Sequence, residues 1–340
     1  MPERRESLNI LISSAGRRVV LVKAFRKAMR RLSIEGKVVA VDISRTAPAL
    51  YAADSAHLVP RVDDARFLPA LYSIVKKEEI GLIVPTIDPE LPLFAMHYER
   101  FRDELDTLVA VSPPEAVETC SDKMLFFRFL KSIDVPTPET FHGADVVEGK
   151  TPEPDFPVFV KPRSGFASVH IFKVEDMDEL RFLVGKYPDL IAQQFIKGTE
   201  YTVDLLSDME GRVLSVVPRQ RIEVRAGEVT RSRTEKSLQI MEYSAFIAEK
   251  LGTRGPITLQ CLLSEGKPYF FEINPRVGGG LPASIAAGAD TPSMLMKMAC
   301  GRKVRPVIGR FREDHYMLRY DDAIYRTDLL QGGIDIWREK

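Results

Sequence analysis

Tyr269-Phe270-Phe271-Glu272-Ile273-Asn274-Pro275-Arg276-Val277-Gly278-Gly279-Gly280 begins as an apolar run of strand type and ends in a turn. Side chains alternate across a strand, so Glu272 and Asn274 share one face and Ile273 takes the other. Two oxygen-bearing side chains at that spacing suit Mg2+, a hard cation that prefers carboxylate and carbonyl oxygens together with phosphate. Pro275 stops the strand, and Arg276 adds a permanently charged fork suited to phosphate or carboxylate. Gly278, Gly279 and Gly280 leave room for a backbone to come close to a ligand. An edge strand ending in a polar turn would explain Glu-x-Asn alone, but not the arginine and glycines that follow.

Just upstream, residues 257–263 read as a strand, 264–267 as a turn and 268–274 as the returning strand. That hairpin brings Gln260 near the face of Glu272 and Asn274. Residues 238–251 have a helical pattern, and 212–218 read as a strand. The stretch 219–236 holds six cations and three acids, and its alternation predicts a hairpin turning near Ala226-Gly227. It is either a solvated hairpin or a cradle for an anionic substrate or a transferred phosphate. Residues 190–196 read as a strand ending in Gln193-Gln194-Phe195-Ile196. Lys197-Gly198-Thr199-Glu200 then turns into a further strand; Glu200 is a solvated turn residue or a holder of ribose hydroxyls. Residues 158–162 form a strand that delivers Lys161 near its end, and 178–186 form a helix. The small-residue loop 163–168 and a resumed strand at 169–172 make either a surface hairpin or a backbone cover for phosphates. Val135-Pro136-Thr137-Pro138 forces an extended link, and Ser121-Asp122-Lys123 caps the helix expected before it.

In the first 110 or so residues, strands at 8–13, 38–42, 82–85 and 108–111 alternate with helical patterns at 19–29 and 68–77. That alternation predicts a parallel sheet with helices packed on it. Ser13-Ser14-Ala15-Gly16-Arg17-Arg18 lacks the Gly-x-Gly-x-x-Gly fingerprint of a dinucleotide site. Ligands in such sheets sit at the carboxyl ends of the strands. The turns 14–18 and 86–90 are therefore either substrate contacts or ordinary caps. At the other end of the chain, residues 292–300 form a closing helix, and the tail through 316–325 adds strands.

The chain of 340 residues is long enough for a large core in two or three domains. Lys+Arg and Asp+Glu number 48 each, so charge gives no reason to expect nucleic acid or membrane as the main partner. No apolar run approaches the roughly 20 residues of a membrane span. The polar start Met1-Pro2-Glu3-Arg4 argues against a signal peptide. Cys120, Cys261 and Cys300 are far apart, as expected of free thiols in a reducing cytoplasm. The five histidines show no metal spacing. A homodimer is the default oligomer.

Taken in order, these parts resemble the ATP-grasp superfamily, and within it one half of the large subunit of carbamoyl phosphate synthase. The likeness covers roughly residues 8–300. Its most specific piece is Phe271-Glu272-Ile273-Asn274-Pro275-Arg276 behind the Gln260 strand. Val160-Lys161-Pro162 and the run from Gln194 to Asp204 add to it, as do Pro85-Thr86-Ile87-Asp88-Pro89-Glu90 and Ser121-Asp122-Lys123. The resemblance implies an α/β and α+β molecule, with a Rossmann-like pre-ATP-grasp domain followed by a two-lobed ATP-grasp fold. The expected parts are 1–120, a linker helix and small lid over 121–196, and a large subdomain with the tail over 197–340.

Carried over by motif, Lys123 and Lys161 would contact ATP phosphates. The backbone of Gln194, Phe195 and Ile196 would meet adenine, and Glu200 the ribose. Glu272, Asn274 and Gln260 would bind Mg2+, and Arg276 would stabilise the transferred phosphoryl group. The implied reaction is a ligation: a carboxylate takes the γ-phosphoryl group, and an amine then displaces phosphate. No protein nucleophile is needed, which suits a sequence with no Ser-His-Asp or Cys-His arrangement. The chain has room for one ATP-grasp half and no glutaminase, which argues against carbamoyl phosphate as product. A phosphotransferase that stops at a phosphorylated small acid, and a nucleotide-binding protein without chemistry, are the competing readings. The loop 165–170 has fewer glycines than the family's usual lid, and His170 there is unusual.

Overall fold

The structure, a computed structural model, describes residues 7–165, 170–187, 189–225 and 227–331. Its strands fall into three sheets that follow the chain in order. The first holds β1 (Asn9–Ser13), β2 (Val38–Asp42), β3 (Ser55–Leu58), β4 (Ile80–Pro85) and β5 (Leu108–Val109), in the order β3-β2-β1-β4-β5. All four pairings are parallel, as the strand–helix alternation predicts. Helices cover both faces, which is why β2 and β4 are buried at every residue and read as unbroken apolar runs. The chain runs outward from β1 to β3, then jumps to β4. The crevice at the carboxyl ends of β1 and β4 is therefore the switch point where such sheets hold ligands.

The second sheet is antiparallel: β6 (Thr140–His142), β7 (Val158–Pro162), β8 (Phe172–Val174) and β9 (Leu190–Gln194), in the order β6-β9-β7-β8. It has a small core of its own, in which Val146, Val158, Val160, Val174, Leu180, Leu183 and Leu190 pack together. The third sheet has six antiparallel strands in the order β14-β13-β10-β11-β12-β15. These are β10 (Thr199–Ser207), β11 (Val213–Arg225), β12 (Glu228–Thr234), β13 (Gly255–Ser264), β14 (Lys267–Asn274) and β15 (Tyr316–Leu318). Its buried face packs on the helices Leu238–Leu251 and Lys123–Ser132.

Several expectations need correction. β9 stops at Gln194, leaving Phe195 and Ile196 beyond it, because the next residues turn towards β10. β11 runs on to Arg225 rather than ending at Pro218, since β12 pairs with it along its charged half. Among the described residues the tail contributes one strand, β15. β8 starts at Phe172; residues 166–169, half of the 163–168 loop together with Val169, lie outside the described residues, as does Ala226 in the hairpin turn. The turn at 86–90 ends in a single helical turn at Asp88–Glu90, and two short helices without a sequence reading, Leu91–Met96 and Tyr98–Leu105, follow it. Among the described residues no helix is long and apolar enough to cross a membrane. The three cysteines are free and buried.

Candidate functional site

Alternation along four neighbouring strands builds one polar face on the third sheet. Glu272 on β14 stands opposite Gln260 on β13, Gln260 opposite Thr202 on β10, and Thr202 opposite Arg219 on β11. The next row joins Asn274, Thr258 and Asp204. The alternate residues Val203, Leu259 and Ile273 point the other way, into the core.

A chain of hydrogen bonds fixes this face. Glu272 Oε1 accepts from Gln260 Nε2 at 3.2 Å and from Asn274 Nδ2 at 3.1 Å. Gln260 Oε1 accepts in turn from Arg221 Nη1 at 3.0 Å, and Arg221 pairs with Glu200 at 3.0 Å. Burial raises the Glu200 carboxyl, a shift that Arg221 opposes. Arg219, fully buried, grips Asp204 with two bonds of 2.7 and 3.1 Å, and Ser284 also donates to Asp204.

Two lysines close over this face, one from the second sheet and one from the start of the helix Lys123–Ser132. Lys161, from β7, is 6 % exposed; its Nζ donates to Gln193 Oε1 at 2.8 Å and lies 5.0 Å from the Phe271 ring centroid. Burial pulls its pKa down to about 8, with Glu272 opposing the fall. Lys123 opens its helix behind the N-cap Asp122, whose Oδ1 accepts from Met124 N at 2.8 Å and Leu125 N at 3.1 Å. Lys123 Nζ reaches Gly165 O at 3.3 Å, and Arg163 pairs with Asp122, so the small-residue loop is tied to the helix start. Burial lowers the Lys123 pKa too, and again Glu272 is the first charge to oppose it.

The parallel sheet supplies the third wall through the two turns of its switch point. Arg17 and Arg18 come from the end of β1, and Thr86, Ile87 and Asp88 from the end of β4. Asp88 Oδ2 accepts from Arg276 Nη2 at 2.9 Å and Nε at 3.2 Å. The cleft has a volume of about 400 Å³, ordinary for a small-molecule site. A second cavity of about 280 Å³ shares Asp88, Lys123, Glu272 and Asn274 with it.

Six residues expected from the sequence thus line one cleft: Lys123, Lys161, Gln260, Glu272, Asn274 and Arg276. Glu200 reaches it only through Arg221. Gln194, Phe195 and Ile196 do not line it; the Gln194 N–H already donates to Glu139 O at 2.8 Å, and the Phe195 ring packs 5.3 Å from Phe159. His170 lines the cleft and packs 4.5 Å from the Tyr187 ring.

The glycines line the cleft, and two of them also admit side chains of the protein itself. A Cβ on Gly280 would lie 2.4 Å from Arg219 Nη1, and one on Gly279 would lie 2.8 Å from Arg18 Nη1. They make room for two guanidiniums of the protein itself. Sequence reasoning missed Asp204 and Gln193 as site-building residues, and took Arg221 only as one cation of a possible anion cradle. The signal for two of them was present as Thr202-x-Asp204 and Arg219-x-Arg221, pairs with the same spacing as Glu272-x-Asn274.

The donor set suits a hard cation. One carboxylate stands beside amide groups, and among the described residues no group of three or more His, Cys, Asp or Glu could form a different metal centre. Gln260 presents its nitrogen to Glu272 while Arg221 holds its oxygen, so of the two amides Asn274 is the freer to turn an oxygen inward.

Comparison with known proteins matches residues 10–109 to the PylC-like N-terminal domain family and residues 120–280 to the ATP-grasp domain family. The chain is 23 % identical over 209 residues to the arginine-specific large chain of carbamoyl phosphate synthase from Geobacillus stearothermophilus, covering 57 % of this chain and 20 % of that one. It is 30 % identical over 198 residues to the D-alanine–D-alanine ligase of Thermotoga maritima, covering 50 % and 62 %. The match therefore spans about a fifth of the synthase chain and less than two thirds of the ligase. Among solved structures, the biotin carboxylase domain of Hydrogenobacter thermophilus 2-oxoglutarate carboxylase, solved with MgADP and bicarbonate, has a TM-score of 0.72 at 21 % identity, covering 91 % of this chain and 73 % of that one.

Proposed function

We infer, from a chain that carries an ATP-grasp domain behind a PylC-like N-terminal domain, an ATP- and Mg2+-dependent ligase that joins a small carboxylic acid to an amine. The observation that carries this reading is the placement of Glu272. Two amide N–H groups hold it on the large sheet, and it faces Lys161 from the lid and Lys123 from the helix Lys123–Ser132.

In the proposed reaction a carboxylate oxygen of the acid attacks the γ-phosphorus of ATP. The bond to the β,γ-bridging oxygen breaks, giving an acyl phosphate and ADP. The amine nitrogen then attacks the acyl carbon, expels inorganic phosphate and loses a proton. Transfer of this kind needs positioning and charge neutralisation more than covalent help. Lys161 and Lys123 balance the triphosphate. Glu272 and Asn274, with Gln260 beside them, would hold Mg2+, which when bound neutralises charge on the transferring phosphoryl group. Arg276, oriented by Asp88, contacts the transferred group. We assign the adenine edge to the backbone of Phe195 and Ile196 and the ribose hydroxyls to Glu200, residues outside the cleft lining, so that the triphosphate lies within the cleft and the nucleoside beyond it.

The test is ADP release by the purified protein with Mg-ATP and pooled acids and amines. Release that requires both pools supports a ligase. Release with acids alone and a stable phosphorylated product would favour a phosphotransferase. Glu272→Ala is expected to lower kcat by about 100-fold or more while ATP still binds. Unchanged turnover in that variant would remove Glu272 from the site.

A further inference from the structure

The cleft holds more positive charge than its triphosphate end uses. Away from Lys123 and Lys161, where the parallel sheet meets the Gly278–Gly280 turn, Arg17, Arg18 and Arg319 converge on one carboxylate. Glu228 lies 3.0 Å from Arg17, 3.4 Å from Arg18 and 2.8 Å from Arg319. Arg276 is matched by Asp88 and Arg219 by Asp204. Five guanidiniums thus face three carboxylates, a surplus of two positive charges.

Two of the five are placed with care. Arg219 is fully buried and lines the cleft, yet its Nη1 has no hydrogen-bond partner among the described residues. Leaving a buried guanidinium nitrogen unpaired is costly, so such an atom marks a place where an acceptor is received. Arg18 Nη1 lies over Gly279 as Arg219 Nη1 lies over Gly280, and the absence of a Cβ at both positions is what admits them. Arg319 Nη2 donates to Gly279 O at 2.6 Å and fixes the turn beneath them. Burial lowers the Arg18 pKa, and the charge of Arg276 acts in the same direction, which places the two arginines in one electrostatic field.

We propose that the acid substrate carries a second anionic group, a carboxylate or a phosphate monoester, which Arg18 and Arg219 receive above Gly279 and Gly280. This rests on the ligase reading. An acid with its reacting carboxyl at Arg276 extends towards the glycine turn, because Arg276 and Gly279 are three residues apart. A second negative charge there takes up the surplus, and its oxygens give Arg219 Nη1 an acceptor. A fork-shaped donor pair is suited to both anions. A monoanionic acid would leave the surplus uncompensated and so bind more weakly.

The experiment is titration calorimetry on the full chain without nucleotide. The probes are glycolate, the dicarboxylates from malonate to glutarate, and phosphoglycolate. At least one doubly anionic probe is expected to bind tenfold or more tightly than glycolate, and the winning probe tells carboxylate from phosphate. Arg18→Gln and Gly279→Ala should each remove most of that margin while Mg-ATP binding stays as in the unaltered protein. Gly279 does not occupy a left-handed conformation, so the alanine acts by displacing Arg18. Equal binding of glycolate and every doubly anionic probe overturns the proposal, as does a margin that survives both substitutions. The ligase reading fails separately: a clear margin with no ADP release from any pool leaves the anion site standing without it.

Discussion

Lys161 shows how burial sets the working range of one residue. Held against Gln193 and the Phe271 ring with its pKa near 8, it is positive at neutral pH and loses its charge as pH rises through about 8. If it balances the triphosphate, kcat/KM for ATP falls over that range, because this parameter reports groups in the free enzyme. Stability moves the other way. The unfolded chain holds the proton more tightly, so stability rises from about pH 8 to the ordinary lysine value of 10.5. Lys161→Arg, which stays charged, should flatten the activity profile; a profile identical to that of the unaltered protein would count against the role.

Glu90 has the opposite behaviour. It is fully buried, accepts from Ser13 Oγ at 2.7 Å and Ser14 Oγ at 2.6 Å, and burial raises its pKa to about 7, with nearby Asp42 adding to the rise. A carboxyl raised on folding contributes stability that is present below its ordinary value of 4.5 and lost as pH rises through about 7. Glu90→Gln cannot ionise. Its melting temperature should vary less between pH 4.5 and 7 and exceed that of the unaltered protein at pH 8, as thermal melts across pH would show.

The helix Lys123–Ser132 depends on its first turn. Asp122 caps two backbone N–H groups with one oxygen and pairs with Arg163 through the other. One side chain therefore both starts the helix that presents Lys123 and ties down the small-residue loop. Asp122→Ala should cost about 1 kcal/mol of stability as a lost cap. It should also raise KM for ATP more than it lowers kcat, since the tie to Arg163 goes with it. Chemical denaturation and steady-state kinetics together check this; a stability loss with KM unchanged would confine Asp122 to capping.

The cores of the whole molecule do not follow the sheets one for one. The parallel sheet buries one face against Leu206, Leu214, Leu281, Met294, Leu295 and Met296, which come from much later in the chain, so Ile10, Val22 and Phe25 share a core with them. The four-stranded lid keeps a separate core. The first and third sheets should therefore open as one unit and the lid as another. In hydrogen exchange under rising denaturant, β1 and the helix Thr291–Ala299 are expected to share one opening free energy, with β7 and β8 opening below it. Independent exchange of β1 and that helix would contradict a common core.

The parts whose signal is local can be read along the chain. Unbroken apolar runs in β2 and β4 specify a sheet covered on both faces, and Glu272-Ile273-Asn274 specifies which side chains share a face, since alternation is a property of any strand. Alternation placed Gln260, Glu272 and Asn274 on one face; Lys123 and Lys161 were read from the family resemblance, and Arg276 from its permanent charge behind Pro275; all six line one cleft. Contacts that cross between elements depend on how the elements pack. Cross-strand register joined Gln260 to Arg221 and Glu200, and the parallel sheet's switch point brought Arg17, Arg18 and Asp88 to the same cleft. The tertiary fold also gave the space beside Gly279 and Gly280 to two arginines, one of them 261 residues earlier in the chain. Burial, and with it the pKa of Lys161 and the unpaired nitrogen of Arg219, depends on the neighbours that packing supplies, which no local pattern encodes.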